Sequence, residues 1–207
     1  MTENLLLLWL AALPLMGSPG PATISLAATG SAFGIRPGLG YLSGIIIGTT
    51  CVLLLVATGV ATALIAHPIA GHILTALATI YILYLAWKIA TAPVNPARSA
   101  DKTQHHRETA APDFRGGLLL AIANPKAFAA IGAVYASHHI VQNSVWLNNT
   151  FKIAALTLVI VLVNTTWLIF GAGFSRLLSD PRAGRAINII FALMLIASVS
   201  TALLSLL

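Results

Sequence analysis

Two long apolar segments of this chain are each interrupted by a proline motif, and this pairing constrains the fold most strongly. The first motif is Gly-Ser-Pro-Gly-Pro at residues 17–21, within an apolar segment that begins at Leu5. The second is Asn-Pro-Lys at residues 124–126, within an apolar segment that begins at Phe114. Proline lacks a backbone N–H and clashes with the preceding turn, so each motif predicts a broken helix. The two breaks lie about half the chain apart.

The composition indicates an integral membrane protein. Hydrophobic residues make up 58% of the 207 residues and charged residues 8%, whereas soluble domains have about 25% charged residues. The apolar segments are long and continuous, which predicts an all-α membrane protein rather than a β-barrel. Six transmembrane helices are expected, near residues 5–28, 38–60, 69–90, 114–137, 151–172 and 186–206.

Several other classes of function find no support in the sequence. Cys51 is the single cysteine, so an internal disulfide is excluded. The net charge of +6 comes from basic residues in short loops, and no nucleic-acid motif accompanies them. The histidines lack a cysteine cluster or a nearby carboxylate, and no catalytic set is visible. We therefore expect no metal, no cofactor, no nucleic-acid partner and no enzymatic activity.

The charges of the loops predict an orientation in the membrane. Nine of the eleven basic residues lie in loops one, three and five: Arg36, Lys88, Arg98, Lys102, Arg107, Arg115, Arg176, Arg182 and Arg185. Cytoplasmic loops of membrane proteins carry an excess of lysine and arginine. The odd-numbered loops are therefore predicted to be cytoplasmic, and both termini to lie outside.

The polar stretch between the third and fourth spans divides the chain into two halves. The whole chain is expected to form a single transporter domain, with repeat one at about 1–91, a cytoplasmic linker at about 92–113 and repeat two at about 114–207. A half with three spans returns the chain to the opposite side of the membrane, so the second half is inverted. The expected fold is two inverted three-helix repeats with a broken first helix in each.

The first break offers polar groups for a solute. Freed backbone groups in hydrocarbon cost about several kcal/mol each unless protein or water satisfies them. We expect Ser18, Pro19, Gly20, Pro21 and Thr23 to contribute to a substrate-binding site near the membrane midplane. The alternative is a simple kink in a continuous helix, because proline and glycine are common in membrane helices.

The second break contains Lys126, which the sequence places well inside a span. A lysine at this depth costs about 2.5–3.5 kcal/mol on insertion scales and is often functional. With Asn124 and Pro125 it is expected to bind substrate: the ammonium group could hold a carboxylate, and freed carbonyls could hold an α-amino group. The alternative is a lysine that extends to the cytoplasmic interface.

Two further features lie within predicted spans. Asn164 is polar within span five and is expected either to face the substrate pathway or to bond a neighbouring helix. Gly40, Gly44 and Gly48 recur every fourth residue, which permits close helix approach. Packing within the monomer is the default explanation for this stripe, and the seam of a homodimer is the alternative.

The motifs together resemble the LysE/RhtB family of bacterial amino-acid exporters over nearly the whole chain. The resemblance rests on Gly-Ser-Pro-Gly-Pro at 17–21, Gly-x-Arg-x-Gly at 34–38, the glycine stripe, Tyr-Ile-Leu-Tyr-Leu-Ala-Trp-Lys at 81–88 and Asn-Pro-Lys-Ala at 124–127. It implies a six-helix protein of the inner membrane that moves amino acids or related metabolites out of the cytoplasm. Ala22 departs from the family, whose members commonly have asparagine after Pro-Gly-Pro.

The leading hypothesis is a secondary transporter in the lipid bilayer that exports small-molecule substrates by alternating access. A channel or metal-ion exporter of the same general architecture is the alternative from a different class. An intramembrane enzyme is disfavoured because the sequence shows no catalytic set.

The orientation is testable with a reporter fused after Leu207. A reporter that is active only in the cytoplasm should give no signal there, because the C-terminus is predicted to lie outside. The same reporter inserted after Asp101, in the predicted cytoplasmic linker, serves as the positive control. Strong activity of the Leu207 fusion would refute this topology.

Overall fold

The computed structural model describes residues 1–59, 68–91, 111–177 and 181–204, and every regular element within these ranges is an α-helix. Most of the predicted linker, residues 92–110, lies outside the described ranges. The eight described helices are α1 (Thr2–Gly17), α2 (Pro21–Phe33), α3 (Ile35–Ala57), α4 (Pro68–Ala90), α5 (Phe114–Ala123), α6 (Pro125–Ser137), α7 (Val145–Leu177) and α8 (Pro181–Leu204).

The first predicted break is confirmed between α1 and α2, whose axes differ by 64°. Ser18 is extended, with φ −63° and ψ 151°, and so is Gly20, with φ −172° and ψ 179°. Pro21 is then the first residue of α2, where its missing N–H costs nothing because the first helical amides have no partner within the helix. The proline motif therefore ends one helix and starts another.

The second predicted break is confirmed between α5 and α6, whose axes differ by 60°. It is shorter than the first, since Asn124 alone separates the two helices, with φ −80° and ψ 103°. The side-chain oxygen of Asn124 accepts a hydrogen bond from the backbone N–H of Lys126 at 3.2 Å. Asn124 thus caps α6, which begins with Pro125.

The helices are long and apolar enough for a membrane protein. Within the described residues, α3 and the Val145–Gly173 part of α7 could each cross a membrane. The α1–α2 and α5–α6 pairs also pass this test when each pair is taken as one unit, which gives up to four candidate spans. The apolar parts of α4 and α8, Thr79–Ala90 and Gly184–Ala197, are shorter. Six spans therefore remain a prediction.

Helix α7 extends beyond the predicted span, which was expected to begin near residue 151. It starts at Val145, and its first turns include Asn148, which is only 6% exposed. The Asn148 side-chain oxygen accepts the backbone N–H groups of Ile140 (2.7 Å) and Val141 (3.2 Å). Hydropathy marks only the apolar part of a helix, so it misses polar turns that tertiary hydrogen bonds hold in place.

Helices α3 and α5 approach each other through glycines. A Cβ added to Gly44 would lie 2.1 Å from the carbonyl oxygen of Phe114, and one added to Gly48 would lie 2.7 Å from the Cβ of Ala121. From the other helix, a Cβ at Gly117 would lie 2.2 Å from the carbonyl oxygen of Tyr41. Gly40 is less constrained, with the nearest atom at 3.8 Å. These glycines pack inside the monomer.

A second close crossing joins α2 to α7. A Cβ at Gly30 would lie 2.2 Å from the carbonyl oxygen of Leu168, and one at Gly171 would lie 1.9 Å from the carbonyl oxygen of Ala27. Both contacts are with backbone atoms, which cannot move aside as a flexible side chain can. Only glycine fits at these two positions without a shift of one helix.

Buried apolar side chains form two clusters. The first includes Leu26, Ile45 and Leu85 and joins parts of α2, α3, α4, α5, α7 and α8. The second includes Leu8 and Ile131 and joins parts of α1, α3, α6 and α7. Each broken helix therefore contributes one half to each cluster, and the breaks lie where the clusters meet.

The α2–α7 crossing generates a stability prediction. Gly171→Ala should destabilise the protein by about 1–3 kcal/mol because the added methyl group overpacks against backbone, which should lower the thermal unfolding temperature in detergent by about several degrees. Gly173→Ala is the matched control on the same helix, since a Cβ there meets nothing within 4 Å. Equal unfolding temperatures for the two variants would contradict the close packing.

Candidate functional site

The two helix breaks are joined directly by Lys126. Its ammonium nitrogen donates hydrogen bonds to the backbone carbonyl of Ser18 and to that of Pro19, the latter at 3.1 Å. Lys126 comes from the second break and both carbonyls come from the first. The two unwound stretches therefore meet in the structure.

The helix ends favour this contact electrostatically. Ser18 caps the C-terminus of α1, where the last carbonyls have no partner within the helix and carry partial negative charge. Lys126 lies in the first turn of α6, so Pro125 and the capping Asn124 determine where its side chain begins. The aliphatic part of Lys126 passes Gly20, where an added Cβ would lie 2.6 Å from its Cδ. Gly20 thus leaves the space that the lysine fills.

The remaining polar groups of the first break are largely paired within the protein. The Thr23 hydroxyl accepts the backbone N–H of Gly20 at 2.9 Å and lies 3.3 Å from the carbonyl oxygen of Ser18. The Ser18 hydroxyl donates to the carbonyl of Leu15 at 3.0 Å, and the indole N–H of Trp167 donates to the carbonyl of Gly17 at 3.0 Å. The sequence predicted free backbone groups here; the structure pairs them, as a low-dielectric environment requires.

A cavity of about 40 Å³ lies beside the Lys126 contact, enough for a few water molecules. Five of the predicted substrate-binding residues line it: Gly20, Thr23, Asn124, Lys126 and Asn164. The other four, Ser18, Pro19, Pro21 and Pro125, lie in the breaks but are not among the lining residues. The rest of the lining consists of Met16, Ala22, Thr49, Ala127, Ala130, Ile131 and Val163.

Asn164 and Thr49 bring polar groups to the cavity from unbroken helices. Asn164 in α7 is 5% exposed, and its side-chain amide donates to the carbonyl of Ile160 at 2.7 Å. Thr49 in α3 is 8% exposed. Thr49 is not among the site residues predicted from the sequence, although its position directly after Gly48 indicates that it lies near a close helix crossing.

Lys152 lies in the second turn of α7 and is buried, only 4% exposed. Its ammonium nitrogen donates to the carbonyls of Tyr135 (2.7 Å) and His138 (3.1 Å) and lies 3.9 Å from the centroid of the Tyr135 ring. It thereby binds carbonyls at the C-terminal end of α6. Hydropathy locates the apolar part of a helix but does not show which side chains turn toward the protein interior, so the burial of Lys152 could not be predicted from the sequence.

No group of histidine, cysteine, aspartate and glutamate side chains that could hold a metal ion is found within the described part of the chain. The Nδ1 atom of His138 lies 2.9 Å from the Ser137 hydroxyl and 3.2 Å from the carbonyl of Val134. His67 lies outside the described residues, and the side chain of His72 is likewise not described.

Comparison with known proteins assigns the chain to a family. The model of the LysE type translocator matches residues 13–204, which includes both helix breaks. The chain belongs to the LysE type translocator family. The cysteine/O-acetylserine efflux protein of Salmonella choleraesuis is 31% identical over 181 residues, covering 86% of this chain and 87% of the relative. The protein of the same description from Escherichia coli O1:K1 is 29% identical over 199 residues, covering 95% and 96%.

Membership of the LysE family confirms the class of function predicted from the motifs. The chain is an integral membrane transporter that exports amino acids or related small metabolites, and it is not an enzyme. No solved structure matches the chain significantly.

The contact across the breaks generates a second stability prediction. Lys126→Met keeps the aliphatic length but removes the ammonium donor from the Ser18 and Pro19 carbonyls, of which only that of Ser18 keeps another donor, the Thr23 hydroxyl. The expected cost is about 1.5–3 kcal/mol, the usual range for hydrogen bonds to a charged group, measured as a lower thermal unfolding temperature in detergent. Lys88→Met is the control, because it removes a lysine from the end of α4 without touching these carbonyls. An unchanged unfolding temperature for Lys126→Met would show that the contact contributes no stability.

Proposed function

We propose that this chain exports small neutral amino acids, of the kind represented by cysteine and O-acetylserine, across the bacterial inner membrane by alternating access. The substrate site is the cavity between the two helix breaks. The observation that carries the proposal is the contact of the Lys126 ammonium group with the Ser18 and Pro19 carbonyls at the edge of that cavity.

The contact suggests how a zwitterion binds. Without substrate, the ammonium group of Lys126 donates hydrogen bonds to the carbonyls at the end of α1. When substrate enters, its α-ammonium group takes these carbonyls, and the flexible lysine side chain turns to the α-carboxylate. Asn124 and Asn164, which also line the cavity, supply further donors and acceptors. Every charged group stays paired through this exchange, which a site within the membrane requires.

The lining favours a small, neutral side chain. Gly20, Ala22, Ala127 and Ala130 contribute little side-chain volume, and no acidic residue lines the cavity among the described residues. A cationic substrate side chain would therefore lack a counterion and would be repelled by Lys126. The two relatives are described as cysteine/O-acetylserine efflux proteins, and both of these compounds are small and carry no charge on the side chain.

The proposed architecture is a single domain of six spans in two inverted repeats, at about 1–91 and 114–207, joined by a cytoplasmic linker. The order of helices supports it, since each half has a broken helix followed by a long helix, α3 or α7. By the loop charges, the side of Arg36 and Arg115 is cytoplasmic and both termini lie outside. Exposed apolar side chains, such as Leu54 and Phe170, contact lipid and leave surface for a homodimer.

Coupling to an ion gradient or the membrane potential is part of the proposal. The sequence contains no P-loop motif that would bind a nucleotide. A secondary transporter needs only two conformations that expose the same site alternately to the two sides of the membrane. The two bends near the cavity provide the joints for this change.

Efflux from whole cells tests the function. Bacteria that lack their own cysteine exporters, fed with precursors or dipeptides, should release more cysteine or O-acetylserine when they express this chain. Release of lysine should not increase, because the cavity offers no counterion for its side chain. Lys126→Met and Gly20→Ala should both reduce efflux by about ten-fold or more, as the loss of a charged contact worth more than 1.4 kcal/mol predicts.

Gly20→Ala is informative because it keeps the lysine but places a methyl group where the lysine and the carbonyls meet. Gly17→Ala is its matched control, since a Cβ there would lie an ordinary 3.7 Å from Val163, and it should export like the wild type. Equal membrane abundance must be verified by immunoblotting. No increase in efflux across a broad amino-acid panel would refute the proposed function, and wild-type efflux by Lys126→Met would remove Lys126 from the mechanism.

A further inference from the structure

The face of α2 that packs on α3 carries buried hydroxyl groups that lead away from the cavity. Ser25 and Tyr41 are both 0% exposed, and the Tyr41 hydroxyl donates to the Ser25 hydroxyl at 3.0 Å. Ser25 in turn donates to the carbonyl of Ala22 at 2.8 Å, and Ala22 lines the cavity. The polar line therefore starts at the proposed substrate site.

Thr29 lies one helical turn beyond Ser25, and its hydroxyl group lacks a hydrogen-bond partner among the described residues. It is 0% exposed. Its methyl carbon lies 3.4 Å from the position of a Cβ at Gly38 in α3, so the side chain is enclosed between the two helices. An unpaired buried hydroxyl destabilises the folded state because it gives up its hydrogen bonds to water without replacing them. Such a cost is explained if this interface opens and becomes hydrated in another conformation.

The line continues toward the surface through Tyr81 and Asp113. Tyr81 is partly buried and packs against the cluster of buried residues that contains Tyr41. The hydroxyl oxygen of Tyr81 and the Oδ1 of Asp113 both lie within 3.4 Å of the point where a Cβ of Gly116 would be. Asp113 is exposed at the start of α5. Polar side chains thus connect the cavity with one end of the protein.

Close helix crossings flank this polar line. The crossings in which a glycine Cβ would come within 2.3 Å of backbone belong to α2 with α7 and to α3 with α5, the pairs that surround the polar line. The described conformation is therefore tightly packed around α2 and α5.

We propose that Ser25, Thr29 and Tyr41 form a second, presently closed segment of the translocation path. It connects the cavity to the Asp113 side, which is cytoplasmic in the proposed orientation, and the substrate passes along it when α2 separates from α3. The hydroxyl groups replace water around the ammonium and carboxylate groups of the moving zwitterion. The inference rests on the proposed export function and adds residues that the helix breaks do not include.

Cysteine labelling provides the deciding experiment. Cys51, the only native cysteine, is first replaced by alanine, and Thr29→Cys is made in this background. Inside-out vesicles that contain the variant are then treated with a membrane-impermeant maleimide at neutral pH. The thiol should be protected without substrate and labelled when O-acetylserine is supplied, because transport must open the α2–α3 interface. Ala28→Cys is the matched control: Ala28 is also 0% exposed but belongs to the apolar cluster, and it should stay unlabelled.

Isosteric variants test the hydroxyl itself. Thr29→Val removes the unpaired hydroxyl, so it should raise the thermal unfolding temperature and lower the efflux rate by about five-fold, the equivalent of one lost hydrogen bond of about 1 kcal/mol. Thr29→Ser, which keeps the hydroxyl, should retain efflux. A purely structural role would not combine a more stable protein with slower export.

The experiments distinguish failure of the second path segment from failure of the export function. Wild-type efflux together with unlabelled Thr29→Cys in the presence of O-acetylserine overturns the second path segment and leaves the export function standing. Unchanged efflux by a stabilised Thr29→Val protein overturns the role of that hydroxyl. Absence of wild-type efflux overturns the export function on which the inference rests.

Discussion

The structure depends on a lysine ammonium group that satisfies two backbone carbonyls at the end of a broken helix. Each break alone would expose unpaired backbone groups to a low-dielectric environment, and a deep lysine alone would be an uncompensated charge. Lys126 and the carbonyls of Ser18 and Pro19 solve both problems with one contact. Because one partner comes from each half of the chain, this contact also determines that the two breaks meet.

Lys152 shows that the same solution is used twice. Its ammonium group binds the carbonyls of Tyr135 and His138 at the end of α6, as Lys126 does at the end of α1. Both lysines are thus placed where helix C-termini provide partial negative charge. The difference lies in their surroundings, since Lys126 lines the cavity and Lys152 is not among the residues that line it. Burial alone therefore does not show which lysine lines the cavity.

The sequence predicted the features that depend on local chemistry. Proline and glycine disrupt a helix wherever they occur, so both breaks could be located from residues 17–21 and 124–126. The inward position of Lys152, the polar first turns of α7 and the cavity position of Thr49 depend on tertiary contacts, which hydropathy and motif spacing do not record. The pairing of Thr23 with Gly20 likewise shows that groups freed by a break find new partners inside the protein.

The two breaks are chemically unlike, and this asymmetry has a consequence for any origin from a duplicated ancestor. One break supplies acceptors through its backbone, and the other supplies a donor through a side chain. Two copies of the Pro-Gly-Pro type would face each other with carbonyls and no cation between them, and two copies of the Asn-Pro-Lys type would bring two cations together. The contact between the breaks therefore requires that one half supply carbonyl acceptors and the other half a cationic donor. Exchanging the two motifs between the halves should be tolerated better than giving both halves the same motif.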